Sequence, residues 1–123
     1  TTLCPCSKEI SEYGAHNQRG YVTLEVRPKA KKGGWELILI EDLIAVAEKS
    51  GSAPVYALLK RTDERFVTMQ AYDNPVFVED VVRNAAALLR ADPRVSSFTV
   101  KAVNHESIHD HNAFATIIGA NAR

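Results

Sequence analysis

Asn74-Pro75-Val76-Phe77-Val78-Glu79-Asp80-Val81-Val82-Arg83-Asn84-Ala85-Ala86-Ala87-Leu88-Leu89-Arg90-Ala91-Asp92-Pro93 reads as one amphipathic helix whose ends are written in the sequence. Asn74 suits an N-cap and Pro75 the first helical position, while Asp92-Pro93 closes the run. Val78, Val81, Val82, Ala85, Leu88 and Leu89 recur at helical spacing and form a stripe that must be buried. The layer that buries it is legible on both sides. Downstream, Phe98, Val100 and Ala102 alternate inward on one strand, and Ala113 to Ile118 forms a second. Upstream, Tyr21 to Arg27 is β-branched and aromatic and alternates towards one face, which predicts a strand. Trp35 to Ser50 predicts another helix: Leu37, Leu39, Ile40, Leu43, Ile44, Val46 and Ala47 give it a broad apolar face, and Gly51 follows at the C′ place. That breadth predicts burial on more than one side. Residues 1–11 read as extended, Tyr13 to Gly20 as a turning loop, and the charge run Lys60 to Arg65 as a solvated turn. The order is then strand, strand, helix, helix, strand, strand. This predicts an α+β module, a curved antiparallel four-stranded sheet with both helices on one face.

The composition narrows the class. The chain has 123 residues, enough for one compact domain with its own core. Fifteen basic residues balance 15 acidic ones, so the basic excess expected of a nucleic-acid binder is missing. No apolar run reaches the length of a membrane span and no signal peptide is visible, so neither nucleic acid nor membrane is an expected partner. The two cysteines, Cys4 and Cys6, are too close to form an easy disulfide. Reduced thiols and a cytoplasmic location are the expectation.

The chemistry-bearing residues fall in two places. Thr1 to Gly20 holds both cysteines and His16, twelve residues after Cys4. Thiolate and imidazole together suit zinc or ferrous iron, and a set this incomplete needs carboxylates from elsewhere. An open position describes a catalytic site better than a structural one. The second place is Asn104-His105-Glu106-Ser107-Ile108-His109-Asp110-His111-Asn112, with three of the four histidines. Imidazoles titrate near neutrality and neighbouring carboxylates tune them, which suits proton transfer; a polar hairpin tip is the plainer alternative. Glu79, in the first turn of its helix, is either a favourable charge at the positive end of the dipole or an acidic anchor at a site.

Leu3-Cys4-Pro5-Cys6-Ser7-Lys8-Glu9-Ile10-Ser11 followed by Tyr13-Gly14-Ala15-His16-Asn17-Gln18-Arg19 resembles the signature of the prokaryotic type IB GTP cyclohydrolases. The resemblance continues through Leu59-Lys60-Arg61 with Asp63-Glu64, Ala71-Tyr72-Asp73-Asn74-Pro75 with Phe77-Val78-Glu79-Asp80, and Asn104 to His109. It implies the tunnelling fold, whose module is the unit read above, with residues 1–123 as one such module. Family members carry two modules per chain, so these residues are expected to be the C-terminal half of a longer one. The implied reaction hydrolyses GTP by a metal-activated water to formate and 7,8-dihydroneopterin triphosphate, the first step towards tetrahydrofolate. The resemblance implies that Cys4, His16 and Glu64 hold the divalent metal, which Zn, Mn or Fe(II) would each suit. Glu79 matches the residue that grips the guanine edge, and Glu106 and His109 match the pair beside the reacting ring. With Cys4 these two make the expected catalytic set. Lys8, Arg19, Lys60 and Arg61 are candidates for the triphosphate. A homo-oligomer, a tetramer by resemblance, with sites at subunit interfaces is the expected assembly.

Four other readings are open at this point. An archaeal-type relative would give a cyclic phosphate, and a nitrile-reducing branch of the fold would oxidise NADPH instead of consuming GTP. A metal- or purine-binding module would turn nothing over. A redox role for Cys4 and Cys6 is the last.

Overall fold

The computed structural model describes residues 1–122. The chain opens with β1 (Thr2–Leu3), turns through α1 (Pro5–Ile10) and returns as β2 (Asn17–Gln18), antiparallel to β1. β3 (Gly20–Pro28) follows, then a hairpin of β4 (Ala30–Lys31) and β5 (Gly34–Trp35). Three helices come next, α2 (Ile40–Ser50), α3 (Arg61–Asp73) and α4 (Val78–Ala91), before β6 (Val95–Asn104) and β7 (Ala113–Ala120). The main sheet is antiparallel in the order β3-β6-β7.

One face of this sheet carries the core. Val22, Leu24 and Val26 stand opposite Ala102, Val100 and Phe98, which in turn face Ala115, Ile117 and Gly119. These rows point the same way because side chains alternate with period two. They meet the α4 stripe of Val78, Val81, Val82, Ala85, Ala86 and Leu89, and α2 adds Leu43 and Val46. Fully burying each valine or leucine of that stripe is worth about 1.5–3 kcal/mol, which makes α4 the helix that fixes the layer. The α+β class with antiparallel strands and α4 on the sheet is as the sequence predicts.

Several details differ from expectation. The large sheet has three strands, because the first segment pairs only with β2, in a separate two-stranded sheet. Residues 5–10 are helical, with Pro5 at the first turn, where its missing N–H costs nothing. The helix predicted from Trp35 starts at Ile40; Gly33 at φ 85° takes the chain round the hairpin before it, a left-handed conformation that other residues resist. Burial of α2 on more than one side is not seen either: Ile40 and Ile44 are exposed and only Ser50 is fully buried. Gly51 leaves the helix in an extended conformation and makes no left-handed cap.

The Lys60–Arg65 charge run is the first turn of α3, not a solvated turn. Nearly all of α3 is exposed and only Ala71 is buried, so no apolar stripe marked it in the sequence. Its start signal was Asp63, whose carboxylate accepts the Lys60 amide at 2.9 Å. The same device opens α2 (Leu39 amide to Asp42, 3.3 Å) and α4 (Phe77 amide to Asp80, 2.9 Å). Asn74 therefore caps the end of α3 and not the start of α4. Its amide bonds the Ala71 carbonyl, and its side chain donates to the Gly51 and Ser52 carbonyls.

At the far end of the core Gly119 lies opposite Phe98, which is 3% exposed. A methyl group at 119 would run into the Phe98 ring. Gly119→Ala is expected to destabilise the fold by about 1–3 kcal/mol through overpacking, read as a lower midpoint in denaturant at unchanged slope. An unaltered midpoint would mean that the ring moves aside freely.

Candidate active site

The short β1–β2 ladder is what brings the first two site residues together. Thr2 pairs with Gln18 and Leu3 with Asn17, so the next step of the same register sets Cys4 beside His16, and the Cys4 amide donates to the His16 carbonyl at 3.1 Å. Cys4 is also the N-cap residue of α1, and both residues are half-buried. Ser7 ties the two backbones a second time: its hydroxyl accepts the His16 amide (3.2 Å) and donates to the Cys4 carbonyl (3.2 Å). Leu3 anchors this end in a small cluster with Ala53 and Ala71, and its carbonyl accepts the Val76 amide just ahead of α4.

The histidine loop joins the same place. It runs from His105 to Asn112 between β6 and β7, and the His105 amide donates to the Arg19 carbonyl at 3.0 Å. His16 Nδ1 lies 3.1 Å from Ser107 Oγ, so a hydrogen bond links the imidazole to the loop that carries Glu106 and His109. Glu106 is half-buried; His109 is exposed and stacks on His111 with ring centroids 5.2 Å apart. The stacked rings lie nearly parallel, 14° apart.

Cys4 and His16 fit a divalent metal of borderline softness, because a cysteine sulfur and an imidazole are the donor types it takes and the two residues are joined by a backbone bond. Glu64 is not gathered with them. It sits in the first turn of α3, exposed and 3.9 Å from Arg61, and among the described residues no three His, Cys, Asp or Glu side chains come together. Glu79 is exposed in the first turn of α4.

The four cations differ. Lys8 Nζ donates to the Tyr72 carbonyl at 2.6 Å and lies 4.3 Å from that ring's centroid, so it fastens α1 to the end of α3. Arg61 faces Glu64. Arg19 and Lys60 form no ion pair among the described residues. Arg19 lines a cavity of about 530 Å³ beside the Cys4–His16 pair, together with Asn17, Gln18, Tyr56, Thr68 and Ser107.

Sequence reasoning missed Ser7, Gln18 and Ser107. Ser107 stands between Glu106 and His109, and Gln18 two residues past His16 on the same strand face; those positions were the available signals.

Residues 1–115 match the family model described as type I GTP cyclohydrolase folE2. The chain is 56% identical over 116 residues to the GTP cyclohydrolase FolE2 of Dictyoglomus thermophilum, covering 94% of this chain and 43% of that one. It is 56% identical over 116 residues to the GTP cyclohydrolase FolE2 of Thermotoga maritima, covering 94% and 42% respectively. Against GTP cyclohydrolase FolE2 1 of Dechloromonas aromatica it is 51% identical over 121 residues, covering 98% and 43%. The chain thus spans less than half the length of these curated relatives.

Proposed function

This chain belongs to the type I GTP cyclohydrolase folE2 family, and from that premise we propose that it carries the reaction centre of a type IB GTP cyclohydrolase. The reaction consumes GTP and one water, net, and yields formate and 7,8-dihydroneopterin triphosphate, the entry to tetrahydrofolate. The observation that supports this best is the His16–Ser107 hydrogen bond. It joins the Cys4–His16 pair to the loop that carries Glu106 and His109, which supports reading the two as parts of one site.

Cys4 and His16 would hold a divalent metal (zinc, manganese or ferrous iron), with Glu64 as the third ligand of the reading. A bound metal supplies Lewis acidity and lowers the pKa of a coordinated water. The remaining work belongs to the chain. Glu79 accepts two parallel hydrogen bonds from the guanine N1–H and 2-amino group. Glu106 and His109 take and return protons as water adds to the imidazole ring, the ring opens and formate leaves. Arg19, without an ion pair among the described residues and on the cavity wall, is the first candidate for the triphosphate; Lys60 follows, and Lys8 serves α1 instead. The α+β layer is consistent with a tunnelling-fold module. In the reading, identical chains form a homo-oligomer, a tetramer, that supplies the missing walls of the site, and the enzyme works in the cytoplasm.

The test is formate release from GTP, measured on this chain with zinc, manganese and ferrous iron in turn. Formate with a triphosphate product is the expected result. A cyclic phosphate product would move the chain to the archaeal-type reaction, and metal binding without formate would leave a binding module. Glu79→Ala is expected to raise the Kd for GTP by tenfold or more, since truncation leaves a donor edge of the purine unpaired. Unaltered GTP affinity by calorimetry would remove Glu79 from that role.

A further inference from the structure

Gln18 carries the one buried side-chain oxygen or nitrogen among the described residues that lacks a hydrogen-bond partner, its Oε1. The residue is 7% exposed. Native proteins keep few such groups, and each calls for an explanation. Gln18 also lines the cavity of about 530 Å³ between β2, the loop before α3, α3 itself and the histidine loop. That volume lies inside the ~300–1,000 Å³ range of small-ligand sites. Its lining combines apolar side chains, among them Val55, Tyr56, Leu59 and Val67, with polar ones that include Arg19 and Ser107. Apolar lining, polar groups and a cation without an ion pair among the described residues suit a ring system that carries an anionic tail.

We infer that this cavity takes the sugar and phosphates of a nucleoside triphosphate, and that Gln18 Oε1 is a specificity-determining acceptor for a ribose hydroxyl. The inference rests on the cyclohydrolase reading, which sets the reacting carbon, C8, at Cys4 and His16. C8 is bonded to N9, and N9 carries the ribose, so the sugar lies next beyond the donor pair. Gln18 follows His16 by two residues, which along an extended strand is ~7 Å and the same face. Arg19 lines the same cavity and supplies a cation for the phosphates. Gln18 lines the cavity, and the terminal amide torsion of glutamine is broad and roughly two-fold, so rotation about it presents either the oxygen or the nitrogen to the cavity. A ribose hydroxyl then supplies the donor that Oε1 lacks. Ser107 reaches the same cavity while bonded to His16, which makes the sugar end and the donor pair neighbours across one side chain.

The experiment compares wild type with Gln18→Leu, which keeps the bulk and removes both polar atoms. Equilibrium binding of GTP, 2′-deoxy-GTP and 3′-deoxy-GTP is measured by calorimetry, with formate release and thermal midpoint recorded alongside. Wild type is expected to bind one of the two deoxy nucleotides roughly tenfold more weakly than GTP, a typical hydrogen bond's worth. In Gln18→Leu that difference vanishes, GTP binding falls roughly tenfold, and the thermal midpoint is held or raised because an unpaired buried oxygen is gone. A structural role would instead lower the midpoint and weaken all three nucleotides alike. Gln18→Met, unbranched and of equal length, makes the same test if leucine disturbs the fold. Equal wild-type affinity for all three nucleotides, or discrimination that survives in both variants, overturns the inference. If the variants behave as expected while wild type releases no formate, the cyclohydrolase reading falls and the sugar site stands. If formate is released but discrimination is independent of Gln18, the sugar site alone falls.

Discussion

Cys4→Ala is expected to empty the chain of bound metal and bring formate release from GTP to background, with the fold intact. The separation of the two effects follows from how Cys4 is used. Its backbone does the structural work: the amide bonds the His16 carbonyl, and the carbonyl accepts from Ser7. Its side chain makes no capping hydrogen bond for α1. Alanine keeps all of the backbone bonds and removes only Sγ. A thiolate is the softest donor at this end, and the imidazole left behind offers one coordinate bond without a second anchor. Metal content of the purified protein, the thermal midpoint and formate release are the three readouts. Retained metal, or release near the wild-type rate, would take Cys4 out of the ligand set. Cys6→Ala is the matched control. Cys6 is exposed two residues into α1, and its loss should leave metal and turnover unchanged; a fall in turnover would revive a redox or ligand role for it.

The fold was legible where burial imposes a period. The α4 stripe and the alternating rows of β3, β6 and β7 face one another across a single core, and each was readable because an apolar side chain there has one place to go. Leu88 is the exception within the stripe: at 39% exposed it lies on the shoulder of the helix, and Ala86 takes the buried place. Legibility failed where the chain is not buried. Almost the whole of α3 faces solvent, so its helical state rests on Asp63 and the Asn74 cap, both short-range polar signals that are also at home in turns. Missing α3 moved Asn74 to the wrong helix and left Glu64 reading as part of a turn. The two-residue pairing of β1 with β2 was invisible for another reason, since two residues show no period. Yet that pairing sets Cys4 against His16. Ser107 belongs to the same class: its bond to His16 spans 91 positions, and no local pattern encodes a contact of that reach.

Glu106→Gln and His109→Asn are each expected to lower kcat by about 10²–10⁴-fold, the range that a positioned proton-transfer group contributes. Metal content and the GTP dissociation constant should stay near wild type. The expectation rests on what holds the loop, because neither side chain does. The loop is fastened at its start by the His105 amide on Arg19 and in the middle by Ser107 on His16, while among the described residues the Glu106 and His109 side chains make no hydrogen bond or ion pair that keeps it in place. Amide or carboxamide replacements of similar shape therefore leave the loop where it is and change only the proton that it can exchange. Glutamine cannot accept a proton from water and asparagine cannot deliver one near neutral pH. Each variant should accordingly lose one limb of the wild-type pH–rate profile, the limb that its own residue sets. If the two residues act as a unit on the same proton path, the double variant falls little further than the worse single one, because effects of groups that act together do not add. Full additivity would instead assign them to separate steps. A drop in GTP affinity equal to the drop in kcat/KM, with kcat held, would mean that both residues bind substrate and move no proton.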